Sequence, residues 1–163
     1  MQLSDFDAAR NLVALFLARA DALDETPFLW SKRGGTWHAT SWAEAARQVC
    51  VLAENLRRLG LGDGDRVLLV AENRPEWCIA DLAIMAAGCI TAPAYITNTE
   101  RDHLHVLTDS GARAAIVSGP KLAAPLLAAM QRADAAEMLV AIERPEGADA
   151  GKIALFDWAP LAM

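Results

Sequence analysis

The stretch from Gly62 to Tyr95, GDGDRVLLVAENRPEWCIADLAIMAAGCITAPAY, constrains the fold more than any other part of the chain. Gly62 to Asp65 is a turn and Arg66 to Ala71 an apolar strand. Pro75 stands where a first helical residue belongs, since its missing N–H removes no hydrogen bond there. The helix from Glu76 to Ala87 is apolar almost all round. Only Glu76 and Asp81 carry charge, which predicts burial on several sides. Trp77, Ile79 or Ala80, and Ile84 are expected to pack inward, and Asp81 to reach a polar edge. Gly88 ends the helix and Cys89 to Ala94 supplies a second strand. Strand, buried helix and strand in this order make a right-handed βαβ unit with parallel strands.

The flanking sequence extends the pattern. Ser4 to Asp7 resembles a capping box, which predicts a helix from about Asp5 to Ala22. Phe28–Lys32 and Thr36–Thr40 flank Arg33-Gly34-Gly35, a hairpin signal, because glycine supplies the positive φ of a tight turn. Ser41-Trp-Ala-Glu44 is a second capping box. The helix after it runs to about Leu59, with Trp42, Ala46, Val49, Ala53, Leu56 and Leu59 on one stripe. Further on, Thr99 opens a helix that Gly111 closes, Arg113 to Ser118 is a strand, Pro120 starts a helix to about Arg132, and Glu137 to Ile142 is a strand. Glu143 to Gly151 reads as an exposed acidic loop. Ile153 to Met163 offers a short strand and Trp158. Strand and helix alternate four times after residue 60, so the expected fold is a three-layer α/β domain over residues 1–163. Its sheet is mainly parallel, with helices on both faces and an N-terminal β-hairpin.

Composition narrows the function classes. With 15 Lys and Arg against 21 Asp and Glu, the net charge is −6, and no basic run exceeds Arg57-Arg58. Nucleic-acid binding needs a basic footprint and is not expected. The longest apolar run, Leu82 to Ile96, is broken by Gly88 and Pro93 and falls short of the ~20 residues of a membrane span. The N-terminus is acidic where a signal peptide would be basic. Cys50, Cys78 and Cys89 show no metal or redox spacing and read as buried thiols in a reducing cytoplasm. The hydrophobic share is 54% and the mean hydropathy +0.19. A doubly covered sheet explains part of this. An open interface explains the rest, so self-association through a sheet edge or uncovered helices is expected.

No motif carries visible chemistry. Gly60 to Asp65, GLGDGD, follows a helix and opens a strand, the reverse of a phosphate-binding loop. His103 and His105 lie two apart, so on a helix they do not share a face, and His38 is remote. Solvent-facing or helix-edge positions are expected for them. Ser110 and Ser118 lack the context of a hydrolase nucleophile. Ser118-Gly119-Pro120-Lys121 joins a strand to a helix, where α/β folds bind ligands. Most such loops are plain connections. Asn73 to Trp77 suits the start of a helix without requiring chemistry. Trp30, Trp37, Trp42, Trp77 and Trp158 are scattered, which favours packing over a stacking platform.

The segment SWAEAARQVCVLAENLRRLGLGDGDRVLLVAENRPEWCIADLAIMAAGCITAPAY resembles the N-terminal region of the acyl-CoA synthetases, in the adenylate-forming (AMP-binding) superfamily. The helix start S-W-A-E, the helix end L-R-R-L-G, then G-D-R-V, E-N-R-P-E-W and A-x-x-A-x-x-x-A-G come in the family's order. ITNTERDHLHVLTDSGARAAIVS is similar to the segment that follows. The likeness covers about Leu12 to Val140, and the ENRPEW form is most similar to the long-chain fatty-acid branch.

The resemblance implies the N-terminal part of a large AMP-binding domain in an ATP-dependent long-chain fatty-acid–CoA ligase. Such a parent adenylates a carboxylate and then passes the acyl group to CoA. ATP, Mg and CoA are implied for the parent, and no cofactor for this stretch alone. The family's phosphate loop, Y-G-x-T-E motif, ribose-binding Asp and terminal Lys have no counterpart here. No catalytic residue is therefore assigned, no metal ligand is expected, and cofactor-binding residues stay open. The partners implied are the remainder of the parent enzyme and its fatty acid, ATP and CoA. The expected location is cytoplasmic, with peripheral membrane attachment left open for the parent. The alternatives are a stand-alone, non-enzymatic binding or interaction module, and part of an adenylate-forming ligase acting on an aryl or amino acid.

Overall fold

The computed structural model describes residues 9–147 and 149–163. Its elements, in chain order, begin with α1 (Leu12–Leu23), a hairpin of β1 (Pro27–Arg33) and β2 (Thr36–Ser41), and α2 (Trp42–Arg58). An alternating series follows: β3 (Arg66–Val70), α3 (Pro75–Ala86), β4 (Ile90–Pro93), α4 (Glu100–Ser110), β5 (Ala114–Val117), α5 (Pro120–Arg132) and β6 (Met138–Ala141). Strand β7 (Ala154–Asp157) and the short α6 (Trp158–Ala162) complete the chain. The five later strands form one all-parallel sheet in the order β4-β3-β5-β6-β7, and β1 and β2 form a separate antiparallel ribbon. The expected α/β class, mainly parallel sheet and hairpin are all present.

Successive side chains of a strand point to opposite faces, and both faces of the sheet are covered. Val67, Leu69, Ile116 and Val140 meet Leu52, Leu56, Ile79 and Ile84 of α2 and α3. Leu68, Val70, Val117 and Leu139 meet Leu107 of α4 and Leu122, Leu126 and Met130 of α5. Helices α1 and α6 join the α2/α3 layer by packing on α2. This double cover explains why β3, β5 and β6 are apolar throughout rather than alternating.

Arginines brace the edge where the parallel strands begin. Helix C-termini leave carbonyls without intrahelical partners. Arg66 donates to the carbonyls of Ser110 (2.6 Å) and Gly111 (3.1 Å) at the end of α4. Arg57 donates to Ala86 and Ala87 at the end of α3. Arg113 reaches Gly60 after α2 (3.2 Å) and the carboxylates of Asp65 and Glu137, both at 2.8 Å. Gly88, at φ +87°, closes α3 where a Cβ would run into the Asp63 carboxylate, so the position demands glycine.

Four expectations need correction. The capping box at Ser4 lies outside the described residues, and residues 9–11, inside the expected helix, are not helical; the helix begins at Leu12. Asn11 is extended there, and its side chain accepts from the Ala14 N–H at 2.8 Å. Cys50 is exposed, because it sits off the stripe of Ala45, Val49, Leu52, Ala53 and Leu56 that buries α2. His103 is buried, because it stands four residues before Leu107 on the inward stripe of α4, while His105 and His38 are exposed. The C-terminal stretch holds a helix as well as the strand, and Trp158 within it is 3% exposed. Trp77 and Asp81 are both half-buried. Trp77 packs on the α2/α3 side of the core.

Two consequences can be measured by urea unfolding. Leu69→Ala, at a site with no exposure, should cost about 2–5 kcal/mol, and Trp77→Ala only about 1–3 kcal/mol because part of its ring stays in water. The Nδ1 of His103 has no hydrogen-bond partner among the described residues, and burial pushes its pKa down. The unfolded chain takes up a proton near the ordinary value while the fold resists it, so stability should fall as pH drops below about 6.5. His103→Leu should flatten that slope; an unchanged slope would remove His103 as its cause.

Candidate functional site

The chain runs from β3 sideways to β4, then returns past β3 to β5. Strand order therefore reverses between β3 and β5. In open α/β sheets the crevice beyond the C-terminal ends of the strands at such a reversal is the favoured ligand site. Here it opens into a wide cleft of about 1370 Å³. Its floor is Glu72 to Glu76 after β3, Ser118 and Gly119 after β5, and Ile142 and Glu143 after β6. Its walls are the Trp30–Trp37 face of the hairpin and, opposite, Trp158 and Met163.

Ion pairs and hydrogen bonds tie the floor together. Ser118 is 1% exposed, and its hydroxyl donates to Glu72. That bond, opposed by partial burial, holds the Glu72 carboxyl below its usual range. Arg74 occupies the N-cap of α3 in an extended conformation and makes no cap bond. Its guanidinium instead grips Glu76 through two nitrogens, at 2.9 and 3.2 Å, and Glu143 at 2.9 Å. Arg33, beside the hairpin turn, reaches the same Glu76 at 3.4 Å. Burial raises the Glu76 pKa, but Arg74 outweighs it and the carboxyl ends below its ordinary value. The bond to Glu76, with Glu143 beside it, raises the Arg74 pKa further still.

This arrangement organises backbone and leaves little free to react. Ser118 is buried, and its partner Glu72 is a weak base with a lowered pKa, so the pair is no nucleophile and base. All three nitrogens of the Arg74 guanidinium already donate to carboxylates. Among the described residues no three His, Cys, Asp or Glu side chains converge as a metal site. Of the residues singled out in the sequence, Ser118 and Gly119 do line the cleft. Lys121 is exposed, and its charge helps to hold the Glu72 carboxyl down. Asn73 to Glu76 form the floor as well as the helix start. Gly60 to Asp65 is a plain turn, in which the Asp65 carboxylate accepts from the Gly62 N–H at 2.9 Å. Glu72 and Glu143 were not foreseen. The only local signal for Glu72 was its place just past the strand and three residues before Pro75.

Removing the central arginine tests this account. Arg74→Met leaves Glu76, whose side chain is 14% exposed, half-buried and short of its main partner. It should cost about 1–3 kcal/mol at neutral pH. A carboxyl with a lowered folded pKa stabilises above its unfolded value and loses that contribution as pH falls through the folded one. The difference between Arg74→Met and the unmodified chain should therefore shrink below about pH 4. A difference that stays constant in urea unfolding across this range would rule out the ion pair as its origin.

Comparison with known proteins agrees with this architecture. The family model described as "AMP-binding enzyme" matches residues 16–157. The long-chain-fatty-acid–CoA ligase FadD15 of Mycobacterium tuberculosis is 42% identical over 78 residues, covering 48% of this chain and 13% of that protein. A feruloyl-CoA synthase of Amycolatopsis is 36% identical over 81 residues, covering 50% of this chain and 16% of that one. Among solved structures, the acetoacetyl-CoA synthetase of Streptomyces lividans superposes with a TM-score of 0.76 at 23% identity, over 90% of this chain and 24% of that one. The adenylation domain of a carboxylate reductase of Mycobacterium chelonae gives 0.81 at 12% identity, over 99% and 30%. This chain thus spans less than a third of each of these relatives. With a family match over nearly its whole described length and the parallel sheet of those neighbours, the chain belongs to the AMP-binding, adenylate-forming enzyme family.

Proposed function

We propose that the chain forms the N-terminal part of the large domain of an ATP-dependent acyl-CoA ligase. Its substrates are long-chain fatty acids, activated as acyl-adenylates with loss of pyrophosphate and then transferred to the CoA thiol. The observation that carries the long-chain reading is the 42% identity over 78 residues with a ligase of that specificity. No helix among the described residues is long and apolar enough to cross a membrane, in keeping with the cytoplasmic setting proposed for the parent.

ATP, Mg and CoA would be held elsewhere in such an enzyme. The donor set supports this, because the arginines at both ends of the sheet are engaged by carboxylates or carbonyls and, among the described residues, no acidic cluster converges. The part left to this chain is architectural: it supplies a rigid sheet and an open cleft at its strand ends. A second reading, a ligase for aryl acids, is favoured by the feruloyl-CoA synthase match. A benzoate–CoA ligase of Burkholderia xenovorans, at 24% identity and a TM-score of 0.71, shares the fold.

Two assays test the proposal. The 163-residue chain alone should catalyse no ATP–pyrophosphate exchange with any fatty acid, since adenyl transfer needs positioned charges and Arg74 in the cleft is already given to carboxylates. Exchange above a heat-killed control would overturn the architectural role. Residues 12–157 transplanted into the mycobacterial relative in place of its own segment should yield a folded chimera that still forms long-chain acyl-CoA. A folded chimera that loses this activity and gains activity on aryl acids would favour the second reading.

A further inference from the structure

The hairpin carries an unguarded edge. β1 and β2 pair only with each other among the described residues. β1 faces α3, to which Arg33 ties it, and it bears Pro27, Lys32 and Arg33. Among the described residues no strand pairs along the outer side of β2. Its sequence, TWHATS, holds no acidic or basic side chain besides His38 and no proline, and Thr36 to Ala39 are exposed. Folded proteins blunt edge strands with charge, proline, bulges or brevity. The edges of the large sheet obey this rule. β4 is four residues long and ends in Pro93, and β7 is four residues long and ends in Asp157, paired with Arg144. β2 is the exception, and it is rich in strand-favouring Thr and Trp.

The backbone of β2 is oriented for pairing. A hairpin closed by two residues, Gly34 and Gly35, makes its first ladder pair between Arg33 and Thr36. Hydrogen-bonded and non-bonded pairs alternate from there. The amides of Thr36 and His38 thus face β1, and those of Trp37 and Ala39 face outward. Trp30 and Trp37, 55% and 59% exposed, lie on the same face of this ribbon.

We propose that β2 pairs antiparallel with β2 of a second copy of this chain, giving a four-stranded ribbon across a two-fold axis. Charge favours this partner. From Thr26 to Ala43 the chain has no acidic residue, and its basic pair, Lys32 and Arg33, sits at the turn. In a two-fold antiparallel pairing the turn of each hairpin lies beside the root of the other, where Glu25 and Glu44 stand. Neither Lys32 nor Glu25 has an ion-pair partner within the chain among the described residues. The surface is therefore self-complementary, as an isologous dimer requires. This inference does not rest on the ligase reading.

The test is sedimentation of the 163-residue chain over a wide concentration range, with residue-resolved amide exchange on the same samples. A reversible monomer–dimer equilibrium is expected. Exchange at Trp37 and Ala39 should slow at least about tenfold on concentrating the sample, while His38, already bonded to β1, changes little. Ala39→Pro removes one outward N–H without touching the β1 ladder; it should weaken the dimer at least about tenfold with an unchanged circular-dichroism spectrum. If that variant misfolds, the exchange measurement on the unmodified chain decides. A monomer at every concentration would overturn the proposal and leave this edge for a strand from another polypeptide. A dimer in which Trp37 and Ala39 exchange at unchanged rates would overturn it in favour of another surface.

Discussion

Every layer of this molecule is built on β3, whose two faces and two edges are all occupied. Val67 to Val70 have no solvent exposure. Their side chains divide between the α2/α3 layer and the α4/α5 layer. β4 lies on one edge and β5 on the other, both parallel. A strand in this position tolerates no charge and no proline, because a charge would have no partner and a proline would remove a ladder bond. RVLLV meets both demands, with its one charge at the end, where Arg66 serves as a helix cap.

The two ends of the sheet use arginine differently. At the end where strands begin, Arg57, Arg66 and Arg113 satisfy helix carbonyls, which is a stabilising task. At the end where strands finish, Arg74 binds carboxylates from two elements, and Arg33 links one of these to the hairpin. The second network sets the spacing between hairpin, α3 and the loop after β6, which is the spacing of the cleft. An adenylate-forming enzyme assembled on this frame would depend on that spacing.

Most of the fold was legible because the signals were local. Ser41 does cap α2 through the Glu44 N–H, Thr99 and Asp102 do form a reciprocal box, and Pro75 and Pro120 do open α3 and α5. Illegible features depended on distant partners. α6 is five residues with a proline inside. Asn55, bonded to the Leu161 carbonyl at 2.9 Å, helps to hold it against α2. The burial of His103 was readable from its spacing to Leu107, but a histidine on an apolar stripe is easily given to the surface. The cleft floor joins Glu72 to Ser118 and Arg74 to Glu143, pairs that no sequence window spans. Family resemblance supplied the activity class, which the residues themselves do not display.

The reversal of strand order also sets a timetable. Arg66 through Leu69 find partners in Ile90 to Pro93, a short helix away, and Val67 through Val70 find theirs in Ala114 to Val117, beyond a further strand and helix. Closing the nearer loop costs less chain entropy, so β3 is expected to pair with β4 before β5. Substitutions at Ile79 or Ile84, which pack α3 against this pair, would then slow folding. The crevice between β3 and β5, where Ser118 meets Glu72, is thus completed only when the longer of the two connections has closed.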